Sequence, residues 1–268
     1  MMVRVLASVV ALLILVPSLV FGGVLAVDVL VLGAALLGLW EYAQLTMKQR
    51  SRSVALAMML AWLGLAISMV YMLDWKWVVI ALWASLLLVL CATVLRPGQD
   101  FAGTFDALGR AVLGVLWVGG CFLFLPLIRR MPDGLHWLWL VFVIAWGSDS
   151  GAYLAGRAFG KRKLHVRLSP KKTWAGFVGG LVTAVLLTGV INGAFQLGLK
   201  AWEGVLLGSV LGVAGVLGDL AVSLLKRACD AKDSGTFMPG HGGLLDRVDS
   251  VLFVAPWLYV YLFVTRGY

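Results

Sequence analysis

Charge is what this 268-residue chain has least of: Asp, Glu, Lys and Arg together make up 13% of it, about half of what soluble domains carry. No solvated domain, low-complexity linker or internal repeat interrupts its apolar runs, and 62% of its residues are hydrophobic, with a mean hydropathy of +0.98. That excludes an ordinary soluble enzyme and predicts an all-α, polytopic integral membrane protein. Cysteine is scarce too. Cys91, Cys121 and Cys229 are odd in number and widely spaced, which argues against a disulfide framework or a thiolate zinc site and leaves them as packing residues. Acids number 13 against 22 cations, a net charge of +9. In a membrane chain such an excess reports topology and anionic headgroups or phosphates, not nucleic acid.

Apolar runs near the length that crosses a bilayer of about 30 Å fall at 5–21, 25–44, 53–72, 76–95, 111–128, 137–159, 174–197, 204–226 and 249–265, predicting nine helices. Arg4 followed by Leu6 to Val16 imitates a signal peptide, yet a second apolar run follows at once, so it reads as a retained first helix. Pro17, Gly22 and Gly23 mark the turn between the first two spans. With nine spans and the N-terminus inside, one side holds Arg4, Lys48, Arg50, Arg52, Arg96, Arg110, seven cations from Arg157 to Lys172, and Lys226, Arg227, Lys232 and Arg247. That is 17 of the 22, and the positive-inside rule makes it the cytoplasmic side. Two polar loops, 160–173 and 227–248, then face the cytoplasm. The division expected is an N-terminal region of about five helices, 1–130, and a C-terminal catalytic region of about four helices with both polar loops, 131–268.

Chemistry concentrates in that second region. Asp219, Ser223 and Lys226 fall within about 60° of one another on a helix, and an intramembrane carboxylate needs a cavity, a cation or a partner. Two readings are open for Asp219: a salt bridge to Lys226 or Lys172, or metal coordination. Asp246 and Asp249 stand just beyond the loop, and carboxylate oxygens suit Mg²⁺. Between them, Pro239-Gly-His-Gly-Gly243 is by itself a turn signal. With Lys226, Arg227, Lys232 and Arg247 nearby it becomes a candidate triphosphate cradle, because glycines let backbone N–H groups approach phosphate oxygens. A second constellation runs from Asp149, in an otherwise apolar helix, through Tyr153 at i+4 and Arg157 to Ser169-Pro-Lys171-Lys172-Thr173-Trp174. Its cations serve topology and attraction to anionic lipid as well as any substrate.

The run S-x-x-K-R-x4-K-D-x-G-x3-P-x-H-G-G-x2-D-R-x-D, together with D-x3-Y-x-x-G-R and S-P-K-K-T-W, resembles the phosphatidate cytidylyltransferases (CDP-diacylglycerol synthases). The likeness covers residues 149–250, with Trp40-Glu41-Tyr42 a weak match in the N-terminal half. It implies transfer of the cytidylyl group of CTP to phosphatidate, giving CDP-diacylglycerol and pyrophosphate. It also implies Mg²⁺ held by Asp219 and Asp246, with more than one cation and a monovalent ion among the expectations, and a homodimer in the inner (cytoplasmic) membrane. By the same resemblance Asp219, Asp246, Lys226 and Asp249 are the catalytic residues. Asp149, Tyr153, Arg157, Ser169, Lys171, Lys172, Thr173, Ser223, Arg227, Lys232, Asp233, His241, Gly242, Gly243 and Arg247 are expected to bind substrate. Ala175 and Val222 depart from it, standing where the family often has Glu or Gln and commonly Glu, respectively. The alternatives are another CTP-dependent membrane lipid transferase or kinase of the polyprenol or phytol type, which must activate a neutral hydroxyl, and an ion-coupled transporter with Asp28, Asp149 and Asp219 along its path.

Overall fold

The computed structural model describes residues 2–47, 51–72, 74–95, 101–237 and 242–267. Lys48, Arg50, Arg96 and the Pro239, Gly240 and His241 of the expected cradle lie outside the described residues. Helices follow one another along the chain as α1 (Met2–Val20), α2 (Gly23–Met47), α3 (Ser51–Ile67), α4 (Trp75–Val94), α5 (Phe101–Leu113), α6 (Gly120–Arg130) and α7 (Gly134–Phe159). A two-stranded hairpin, β1 (Lys163–His165) and β2 (Ser169–Thr173), precedes α8 (Trp174–Phe195), α9 (Ala201–Ala228), α10 (Leu245–Val248) and α11 (Val251–Arg266). π-helical segments extend α3 over Ser68–Met72 and join α5 to α6 over Gly114–Gly119.

Seven helical stretches among the described residues are long and apolar enough to cross a membrane, at the positions of the second to eighth expected spans. The protein is an all-α, polytopic membrane protein. The first and ninth expected spans correspond to α1 and α11; α11, with 16 residues, reaches about 24 Å. Pro17 lies inside α1, and the turn falls at Phe21 and Gly22 with Gly23 at φ +65°, a conformation that costs glycine nothing.

Two expectations are corrected. The fifth span starts at Phe101, ten residues earlier than the apolar run suggested, and continues unbroken to Arg130. Its first turns carry Asp106 and Arg110, so hydropathy alone assigned them to a loop. Arg110 is not a free loop cation: its Nη1 donates to the Thr46 carbonyl at 2.9 Å, near the C-terminal end of α2, where a positive charge complements the helix dipole. The polar loops are also more ordered than expected. Residues 163–173 form the antiparallel hairpin, with Lys163 opposite Thr173 and His165 opposite Ser169, while α9 runs on to Ala228 and α10 occupies 245–248.

The chain divides into two compact units, and the division is not sequential. One comprises Met1–Pro126 together with Asp233–Leu245; the other comprises Leu127–Lys232 with Asp246–Tyr268. In the first, Tyr42, Met58, Trp62, Val118 and Phe122 are buried to 1% exposure or less. Their polar atoms are matched inside the protein, as an apolar solvent requires: Trp62 Nε1 donates to the Gly119 carbonyl at 2.8 Å and the Tyr42 hydroxyl to that of Arg110 at 3.0 Å. In the second unit, small residues bring helices close, as in other membrane bundles. Gly180 of α8 faces Ala152 and the Ser148 carbonyl of α7, and Gly212 of α9 faces Ala184 and Leu181 of α8. Ser250 donates to the Gly215 carbonyl at 3.2 Å, fastening the start of α11 to α9.

The cation distribution makes a sidedness prediction that exposure refines. In a background lacking Cys91, Cys121 and Cys229, single cysteines at the exposed Lys163 and Thr236 should be labelled by an impermeant maleimide only from the cytoplasmic face. Labelling of either from the opposite face contradicts the orientation.

Candidate active site

The site grows from the junction of β2 and α8. Thr173 is buried and caps α8, its Oγ1 accepting the Gly176 N–H at 3.1 Å, a bond that satisfies one of the free donors of the helix start. The strand leading into this cap leaves Lys171 exposed and turns Lys172 partly inward. Lys172 Nζ meets Asp219 Oδ2 of α9 at 2.6 Å. Asp219 Oδ1 also accepts from Ser223 Oγ, one turn on, at 3.2 Å. Seven residues beyond Asp219, Lys226 Nζ meets Asp246 Oδ1 of α10 at 2.5 Å. The result is a row of alternating charge, Lys172, Asp219, Lys226 and Asp246, ordered along one face of α9.

These pairs are not surface pairs. The Lys226 and Asp246 side chains are 17% and 8% exposed, those of Lys172 and Asp219 23% and 26%. Desolvation of that degree makes removal of one partner costly. The salt-bridge reading of Asp219 thus has its partner in Lys172, and Asp246 is engaged in the same way by Lys226. Among the described residues Asp249 forms no such ion pair. Preceding α11, its carboxyl is pushed up to about 7, first by burial and then by the Asp219 charge, with Asp149 adding to the rise and the Ser250 N–H and Lys172 opposing it. Three acids, Asp149, Asp219 and Asp249, therefore share one electrostatic neighbourhood with Lys172.

The other expected residues distribute around this row. Tyr153 and Arg157 are exposed on α7 beyond Asp149, and Ser169 is half-buried on β2. Arg227 is exposed at the end of α9, followed by the exposed Lys232. Arg247 presents an exposed side chain while its carbonyl accepts from Trp146 Nε1 at 3.3 Å. Asp233, Gly242 and Gly243 fall in the first unit; Asp233 is exposed, Gly242 has φ +85° and Gly243 is buried. His241 is outside the described residues. Of the two departures, Val222 is 2% exposed and packs as an apolar residue, and Ala175 sits half-buried in the first turn of α8.

Among the described residues no three His, Cys, Asp or Glu side chains converge on one point. The donor chemistry still fits Mg²⁺, which is commonly held by one or two carboxylates with the remaining positions taken by water and substrate phosphates. Sequence reasoning gave one residue of consequence no role. Glu41, 5% exposed on α2, accepts from the backbone N–H groups of Leu244 and Leu245 at 2.8 and 3.0 Å and from Ser234 Oγ at 3.3 Å. The available signal was a lone acid near the end of an apolar helix, which is expensive unless used.

The cytidylyltransferase family matches residues 2–265 of the chain. The chain belongs to that family. Among curated relatives, it is 44% identical to the phosphatidate cytidylyltransferase of Bacillus subtilis (strain 168) over 184 residues, 68% of this chain and 67% of that protein. Phosphatidate cytidylyltransferases of Staphylococcus haemolyticus and Staphylococcus epidermidis align along nearly their full length, at 35% over 266 residues and 36% over 269 residues. The match to this cytidylyltransferase family extends well beyond the polar motifs, so the N-terminal helices belong to the resemblance as much as the site does.

Asp249 supplies a pH prediction. A carboxyl raised in the folded state binds more protons there than in the unfolded chain, so its favourable contribution is complete below about 4 and is lost as pH rises through about 7. Metal-free Asp249→Asn should therefore melt a few degrees above the unmodified protein at pH 8, and the gain should shrink towards pH 4.5. A gain that is equal at both pH values would show that Asp249 is not held under this strain.

Proposed function

We propose that this cytidylyltransferase transfers the cytidylyl group of CTP to phosphatidate, releasing pyrophosphate and forming CDP-diacylglycerol for phospholipid synthesis. The observation that carries the reading is the row of alternating lysines and acids that β2, α9 and α10 bring together, a partly buried site suited to a polyanion that carries its own cation. A phosphate monoester has a second pKa near 6 and is an anionic nucleophile at pH 7. Attack on the α-phosphorus of CTP then needs no general base. What it needs is alignment and compensation of the charge that develops on pyrophosphate. Lys172 and Lys226 supply such compensation, each able to exchange its carboxylate partner for a phosphate oxygen. Mg²⁺, held by Asp219 and Asp246, would neutralise the triphosphate and act as a Lewis acid. The surplus acids Asp149 and Asp249 support a second, monovalent cation. Arg157, Ser169, Lys171, Arg227, Lys232, His241 and Arg247 are assigned to the phosphates and the nucleotide, and the acyl chains stay in the bilayer.

The kinase alternative must activate a neutral hydroxyl, and the relatives that align along nearly the whole chain carry the name phosphatidate cytidylyltransferase, which favours the phosphate nucleophile. The transporter alternative loses one of its stations, because Asp28 already accepts from the Tyr71 hydroxyl at 2.7 Å. We place the protein in the inner (cytoplasmic) membrane with the site facing the cytoplasm, where CTP is found, and expect a homodimer. Mass measurement in detergent under active conditions checks the dimer, and a purely monomeric active species refutes it.

Asp219→Asn and Asp246→Asn should each lower Mg²⁺-dependent formation of CDP-diacylglycerol from labelled CTP by more than about a hundredfold. Both should also melt lower, because each strands a partly buried lysine. Stability and chemistry separate in the double variant Asp246→Asn/Lys226→Met, which removes the stranded charge. Its melting temperature should recover while its activity stays lost. Recovery of both would make Asp246 a structural residue only.

A further inference from the structure

The function proposed above leaves Glu41 unused. Its carboxylate is inside the first unit, where it binds three donors from a segment some two hundred residues later: the N–H groups of Leu244 and Leu245 and the hydroxyl of Ser234. The two oxygens divide the task, Oε1 taking Leu244 and Oε2 taking Leu245 and Ser234. Both approaches require glycine. A Cβ on Gly235 would stand 2.7 Å from Oε1, and one on Gly243 would collide with Oε2 and Ser234 Oγ. Gly38, one turn before Glu41 on α2, likewise lets the Leu245 side chain close to 3.3 Å of where a Cβ would be. Leu245 itself is fully buried.

Leu245 opens α10, and the next residue of that four-residue helix is Asp246. A helix so short cannot hold itself in place, since helix nucleation is unfavourable before several bonds have formed. Its starting N–H groups are also those a helix leaves unsatisfied. We infer that Glu41 is a positioning residue: by gripping the backbone on both sides of the Leu244–Leu245 peptide, it fixes where the Asp246 carboxylate and the Gly242–Gly243 turn are presented. The inference rests on the proposed role of Asp246 in holding a divalent cation. Any effect on Asp246 passes through the backbone of Leu244 and Leu245, without contact between Glu41 and substrate.

Glu41→Gln tests this, because an amide keeps the reach of the side chain but can accept at only one of the two oxygens' positions and sets N–H against N–H at the other. Hydrogen exchange of the metal-free protein in detergent should show the Leu244 and Leu245 amides exchanging at least about tenfold faster, with α9 amides unchanged as evidence of an intact fold. The Mg²⁺ concentration giving half-maximal thermal protection should rise by roughly tenfold, in the range seen when supporting residues of metal sites are lost. If Glu41→Gln is not recovered folded, Glu41→Asp, which retracts the carboxylate by one methylene, is judged on the same two readings. Unchanged exchange overturns the clamp, and faster exchange with an unchanged Mg²⁺ midpoint overturns its positioning role. Formation of CDP-diacylglycerol by the unmodified protein is scored separately, so failure of the substrate reading is distinguishable from failure of the clamp.

Discussion

The contact between Lys172 and Asp219 is the interaction on which the second unit's chemistry hangs. Neither charge is stable alone in so apolar a protein, and each is delivered by an element whose position has a separate cause. Thr173 caps α8 and thereby fixes the strand that carries Lys172, while the close approach of α8 and α9 at Gly212 sets the distance to be bridged. The pair is thus a consequence of small-residue helix packing and of a single threonine cap. Ser223 and Lys226 extend the same arrangement by the ordinary 3.6-residue period of α9, and Asp246 of α10 joins it through Lys226.

Under the proposed function, a charge row of this kind would serve stability and catalysis with the same atoms. In the resting protein each lysine lowers the cost of burying its acid, and each acid keeps a lysine ordered and poised. On that proposal, a triphosphate arriving with its cation would offer both members new partners of the right sign, so binding would exchange ion pairs instead of creating uncompensated charge. Asp249, which forms no ion pair among the described residues, shows the opposite case: burial and then the Asp219 charge push its carboxyl up to about 7.

Much of this was legible in the sequence. The membrane class followed from composition, the helical stretches from apolar runs, and the common face of Asp219, Ser223 and Lys226 from helical spacing. What could not be read were features in which local composition and tertiary role diverge. Phe101 to Arg110 looked like a loop because its charges are amphipathic, and only the Thr46 carbonyl explains Arg110. The hairpin at 163–173 has few residues and strongly charged ones, which give no strand pattern. Thr173 is expected from the resemblance to bind substrate, and its use as a helix cap is a second role that the motif does not announce. Glu41 stood in the sequence only within a weak match, and its role was hidden for a different reason: two of its three partners are backbone N–H groups, which carry no signature in side-chain sequence.

The first unit is discontinuous, closing over Met1–Pro126 with a thirteen-residue insert from the C-terminal half. Modules that can be traded between relatives are therefore not the ones a linear map suggests. A recombinant joining the first half of one family member to the second half of another would separate Glu41 from the glycines shaped around it. Substitutions on α2 and in the 233–245 segment are thus expected to be tolerated as matched sets, and the natural unit of inheritance for this site is a pair of distant stretches that must change together.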